Sequence, residues 1–317
     1  MMGGKRVMAS EILKSWRENA EDVFAAQPKE RRDYDMARVE RVKDMLAETK
    51  TGREILTWAA ENDIEIRLDY QCEEAGAGGY YVPGSKMVCL NAYLPDDHAM
   101  IALTHELRHA WQGENGFCAT LYKDVGTYLK QFRFIEADAA AYEMQVCAEW
   151  KELHPEFKVN HFRQMCLDLA EKQKASAPDY LKGKEVLWAG FCGFFATGVR
   201  KNLYDDGSIY AGEILAGLES WDGIPKVKTE YGARKDHQLP PYEGLNVEDK
   251  EKFLKLGSNF DGTDNYLRDI PLDLLTHEQF IGGLSQRNLD RFMTLHAAEE
   301  KARAKGNAGL KPIPRLM

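Results

Sequence analysis

A chain of 317 residues with 44% hydrophobic and 29% charged residues has the balance of a soluble globular protein of one to three domains. Its formal net charge of −9 excludes the basic excess that a nucleic-acid-binding protein needs to neutralise phosphates. The longest apolar stretch, residues 186–199, is broken by Gly190, Gly193 and Gly198 and is too short for a bilayer, so no membrane association is expected.

Residues 1–16 contain Lys5 and Arg6 but no apolar core or small-residue cleavage site, so no secretory leader is expected. Cysteines 72, 89, 118, 147, 166 and 192 show no CxxC spacing and read as reduced core residues. Cytoplasm is the expected compartment; a specialised secretion system would leave no such trace.

In chain order, residues 9–26 and 33–50 read as charged amphipathic helices broken near Pro28, able to pack on the rest or hold a protein partner. Residues 52–62 read as a helix, residues 64–70 alternate as a half-buried strand, and 76–79 form a Gly-rich loop. Tyr80–Val82 and residues 86–90 flank Pro83-Gly84-Ser85 as a hairpin. A helix follows, with Asp96 or Asp97 as N-cap and Gly113 as its stop. Residues 127–151 form one long helix, and 160–220 are helical and apolar. Residues 223–244 read as a loop or linker with three prolines, and 286–305 as a last amphipathic helix before a tail.

The helix after the hairpin carries His105-Glu106-Leu107-Arg108-His109. Residues i and i+4 of a helix stand on one face, so the two imidazoles can share one tetrahedral zinc ion. Glu106 lies one residue round, where it can reach the water such a metal activates without being a ligand. Apolar neighbours at Ile101, Leu103, Leu107, Ala110 and Trp111 anchor this helix in a core, unlike a surface helix whose histidines are merely solvated.

A third ligand follows from the 127–151 helical wheel. Phe132, Ile135, Ala139, Tyr142, Val146 and Trp150 form an apolar sector that also contains Glu136 and Glu143. A carboxylate on a buried face is costly unless it is paired or binds a metal, so Glu136 is the expected third ligand. Glu143, one repeat on, is the next candidate, as a partner orienting a histidine. Asp138, Gln145 and Glu149 fall on the opposite side, and Asp138 becomes a ligand only if the helix is rotated. Tyr142, Tyr122, His154 and His161 are candidate oxyanion donors, each more ordinarily a packed or solvated side chain.

The run from Tyr80 to Asn91, followed by Thr104-His105-Glu106-Leu107-Arg108-His109-Ala110-Trp111-Gln112 and by Glu136-Ala137-Asp138-Ala139, resembles the zincin metallopeptidases with a glutamate ligand, and more closely a bacterial metallopeptidase domain family. The similarity covers roughly residues 50–150. It implies an α+β fold: a zincin-like domain over 51–155, with a small mixed sheet, an edge hairpin, the HExxH helix and a third-ligand helix. A helical extension over 1–50 and a mainly helical region over 156–317 would flank it. It implies one Zn²⁺ per chain on His105, His109 and Glu136, with Glu106 as general base and the strand at 87–90 as the edge that pairs with an extended peptide. The sequence departs from the thermolysin-like pattern at Ala140, where an Asp is expected, leaving the group that orients His105 unassigned.

The expected function is a zinc-dependent metalloendopeptidase acting on a peptide or protein. A zinc amidase acting on a non-peptide or cell-wall amide, and a non-catalytic metal-binding scaffold, are the alternatives. His₂Glu suits zinc best, although Mn²⁺, Co²⁺ or Fe²⁺ could bind such a set.

Overall fold

The computed structural model describes residues 27–70, 72, 77–82, 86–117, 125–196, 204–206, 209, 255–270, 288, 290–292, 294–295 and 297. The expected helix at 9–26, the hairpin turn at 83–85, the loop at 223–244, the tail, and residues Cys118 and Tyr122 lie outside these.

Helix α1 (Lys29–Glu48) follows Pro28 and buries a stripe at helical spacing: Asp35, Arg38, Val39, Val42 and Leu46. Its two buried charges are paired. Asp35 accepts from the Tyr70 hydroxyl at 2.6 Å. Arg38 Nε meets Asp96 at 2.7 Å, and its other nitrogens bond the carbonyls of Ala92 and Leu94. Extended backbone at Thr49 ends α1 and starts α2 (Lys50–Glu61), with the threonine hydroxyl accepting from the Gly52 amide. Such a cap is worth ~1 kcal/mol. Any side chain at Gly52 would collide with the Leu46 carbonyl, so the corner demands glycine.

Strands β1 (Glu65–Asp69), β2 (Gly79–Val82) and β3 (Met87–Asn91) form a three-stranded sheet in the order β1-β3-β2. β1 runs parallel to β3, with Leu68 opposite Leu90, and β2 is antiparallel to it, with Tyr81 opposite Val88. Here the structure corrects the sequence reading. β3 is the central strand, not an edge; every residue in it is buried, as an uninterrupted apolar run requires. The edges are β1 and β2. Gly79, expected in a loop, opens β2.

Helix α3 (Asp96–Glu114) packs on β2 and β3. Pro95 rather than an aspartate occupies its N-cap, because the Asp96 carboxylate is engaged by Arg38 and that of Asp97 bonds the next amide and ring, those of His98. Gly113 lies within the last turn instead of ending the helix.

Helix α4 (Val125–Leu153) is the central column, touched by α2, α3, α5 (His161–Ser176) and α6 (Glu185–Ala196). Its Ala137, Ala139, Ala140 and Ala141 are fully buried. At Gly190 of α6 an added Cβ would stand 2.8 Å from Ala141 Cα and 3.0 Å from the Ala140 carbonyl. That close crossing gives a packing reason for alanine at 140, where the resemblance leads one to expect aspartate.

Residues 255–270 complete the core, with Phe260 5.7 Å from Trp58 and 5.3 Å from Tyr142, ring centre to ring centre. One contiguous apolar cluster runs from Val39 of α1 to Ile270. Each fully buried Leu, Val or Phe in it contributes ~1.5–3 kcal/mol. No helix among the described residues is long and apolar enough to cross a membrane.

Candidate metal centre

Because α3 packs its buried face against α4, the side chains of His105 and His109 meet that of Glu136 in the interior. The two imidazole Nε2 atoms lie 3.1 Å apart. Glu136 reaches the first with Oε2 at 3.3 Å and the second with Oε1 at 3.4 Å. Ligand atoms ~2.0–2.1 Å from a tetrahedral zinc would stand ~3.3–3.4 Å from one another. Each imidazole nitrogen thus has one Glu136 oxygen at about that spacing, Oε2 for His105 and Oε1 for His109, and one donor atom from each of the three residues falls within 4.8 Å of the others. Glu136 Oε2 is buried and makes no hydrogen bond, a cost that a cation would remove.

The other ring nitrogens decide which lone pairs are free. Gln112 donates through Nε2 to the Ile135 carbonyl at 2.9 Å and to Asp138 at 2.7 Å, both acceptors only, which leaves its Oε1 to face His109 Nδ1 at 2.8 Å. The neutral His109 ring therefore keeps its proton on Nδ1 and has its lone pair at Nε2. His105 Nδ1 faces the Glu143 carboxylate at 3.3 Å, off the line of a full hydrogen bond. Glu143 is itself held by Arg163 Nε at 3.0 Å. Among the described residues, Glu143, one helical repeat after Glu136, is the carboxylate that faces the outer nitrogen of His105.

Electrostatics point the same way. Burial alone would hold both histidines neutral, but Glu136 and Glu143 outweigh it and raise His105 to about 10, while Glu136 likewise raises His109. Glu136 stays ionised despite burial, lowered to about 2 by His109 and His105. Three buried carboxylates around two imidazoles make a site that holds positive charge, as protons or as a metal ion. Burial pushes the Glu106 carboxyl above its ordinary value, with Glu136 and Glu143 adding to the rise against the two histidines.

β2 crosses beside Glu106. A Cβ at Gly79 would stand 3.0 Å from Glu106 Cγ and 2.7 Å from the Cys89 carbonyl, so glycine lets the edge strand approach the carboxylate.

Some sequence-derived candidates lie elsewhere. Tyr142 donates to the Ser258 carbonyl at 3.2 Å beneath the Arg108 guanidinium, which spends its hydroxyl in the core. His154 stacks on Trp150 and bonds Glu48 at 3.0 Å, and His161 is exposed at the start of α5. Asp138, expected on the open side of its helix, is fully buried and bonded to Arg108, because α4 has no open side at that level. The sequence reading missed Arg108, Gln112, Gly79 and Tyr266. The available signals were an arginine inside a buried helix and a glutamine one turn beyond His109.

An α+β fold with a largely buried His-His-Glu donor set on two packed helices, and a further carboxylate beside it, is of the class expected for metal-dependent hydrolases. The chain belongs to the family described as "Putative metallopeptidase family (DUF6782)", whose model matches residues 17–177, about half of its length. Neither the curated proteins nor the solved structures contain a match to it.

Proposed function

We propose that this protein is a zinc-dependent metalloendopeptidase, with His105, His109 and Glu136 holding the metal and Glu106 acting as general base. The observation that carries this reading is the set of donor separations of 3.1, 3.3 and 3.4 Å, with a buried carboxylate on the same helix. A metal held there would supply Lewis acidity, polarising a carbonyl and lowering the pKa of water from 15.7 towards ~7.

The chain's own groups supply the rest. Glu106 takes a proton from the attacking water as its oxygen bonds the carbonyl carbon, then delivers that proton to the amine as the C–N bond breaks. A carboxyl raised by burial is suited to both steps near neutral pH. β2 is an edge strand lying beside Glu106, and an extended peptide added along it would bring its backbone to the site. This role replaces the one expected of β3.

Glu106→Gln should abolish hydrolysis of a peptide library while zinc remains bound at about one per chain. Loss of zinc from that variant would make Glu106 a ligand or a fold element and would remove this mechanism.

A further inference from the structure

We propose that Asp138, acting through Gln112, is the positioning residue for His109, and that residues 255–270 belong to the same working unit because they hold Asp138. The inference rests on the metal-site reading above and extends the unit beyond residue 177, where the family match ends.

Gln112 can orient His109 only while its amide keeps one direction. Reversed, its oxygen would face the Ile135 carbonyl and the Asp138 carboxylate, and its N–H would face Nδ1, forcing the His109 proton onto Nε2 and withdrawing that lone pair. The charge on Asp138 makes the reversed form the costly one. Asp138 is fully buried and accepts from Arg108 Nε at 2.7 Å, Arg108 Nη2 at 3.2 Å, Gln112 at 2.7 Å and the Tyr266 hydroxyl at 3.0 Å. Burial, and then the carboxylate it faces, keep the Tyr266 phenol protonated as a donor.

Arg108 is fixed from the same segment. Its Nη2 also donates to the carbonyls of Leu256 at 2.6 Å and Ser258 at 2.8 Å, and Phe260 lies over its guanidinium. Gly257 between those carbonyls has no room for a side chain, since a Cβ would lie 2.6 Å from Asn265 Oδ1 and from Leu267 Cγ. An ion pair with a purely structural role would need no contact to a metal-ligating histidine. This one has such a contact through a single amide.

The test uses the full chain, zinc affinity by chelator competition, and the visible absorption of the Co²⁺-substituted protein. Gln112→Leu keeps the volume and the Arg108–Asp138 pair but breaks the link to His109. It should bind zinc about 10- to 100-fold more weakly and give an altered Co²⁺ spectrum. Tyr266→Phe removes one hydroxyl without changing shape, and should lose about two- to fivefold. It also decides the matter if Gln112→Leu does not fold. Wild-type affinity and spectrum in Gln112→Leu, or weaker affinity with an unchanged spectrum, would overturn the positioning role. An unchanged Tyr266→Phe would remove residues 255–270 from the unit. Wild-type protein that takes up no divalent metal would overturn the metal site itself, a distinct result that takes this inference down with it.

Discussion

Glu136 and Asp138 stand two residues apart on α4 and both look towards α3, yet the charge around them is handled in opposite ways. Asp138 takes four hydrogen bonds from three side chains. Arg133 and Asp205 form a second buried ion pair, at 2.7 and 2.8 Å. Glu136 instead points Oε2 at an imidazole nitrogen and makes no hydrogen bond with it. A buried charge whose partners are complete belongs to the frame. One left beside imidazole nitrogens without a hydrogen bond belongs to a binding site.

The largest effect should come from breaking the satisfied side. Asp138→Ala leaves Arg108 buried with no carboxylate, and losing one partner of such a pair costs about 3–5 kcal/mol. Urea unfolding of metal-free protein measures it. A loss under ~1 kcal/mol would mean that water enters to solvate Arg108, and the contrast between the two carboxylates would fail.

A milder change separates Glu106 from the His105, His109 and Glu136 donor set. Gly79→Ala puts a methyl group against the Cys89 carbonyl at 2.7 Å and against Glu106 Cγ at 3.0 Å. The carbonyl is backbone and cannot swing away, so an overpacking cost of about 1–3 kcal/mol is expected. Turnover should fall by more than zinc affinity, because the atoms nearest the added methyl group are the Cys89 carbonyl, Glu106 Cγ and Leu90 Cδ2. Equal losses of both would show that the sheet edge supports the whole site rather than its base.

The convergence of His105, His109 and Glu136 was legible because it needs only helical geometry and the cost of burying a carboxylate. Glu143 was legible for the same reason, seven residues and about two turns after Glu136. Asp138 was misplaced because a helical wheel presumes one solvent-facing side, and α4 is covered by α3, α6 and residues 255–270 together. The edge position for β3 comes from the resemblance alone, whereas its own apolar run is the mark of a central strand. The tie from Arg108 to Leu256 spans 148 residues, and no local pattern could announce it.

The unsatisfied cluster should titrate. In metal-stripped protein His105 has its pKa raised from 6.5 to about 10, so its contribution to stability is complete below pH 6.5 and is lost as pH rises through about 10. Glu136, lowered from 4.5 to about 2, acts at the other end: its contribution is present above pH 4.5 and lost as pH falls towards 2. Between pH 7 and 9 the stripped protein should therefore lose stability, by at most about 1.4 kcal/mol per pH unit for each histidine proton released. Zinc affinity should rise over the same range, because metal and protons compete for the same nitrogens. Opposite slopes, measured by thermal melting with and without zinc, are the signature of a site built to hold a cation. Parallel slopes would mean that the imidazoles serve the fold as permanent imidazolium partners of Glu136 and Glu143, and the cluster would then join Arg108–Asp138 on the structural side.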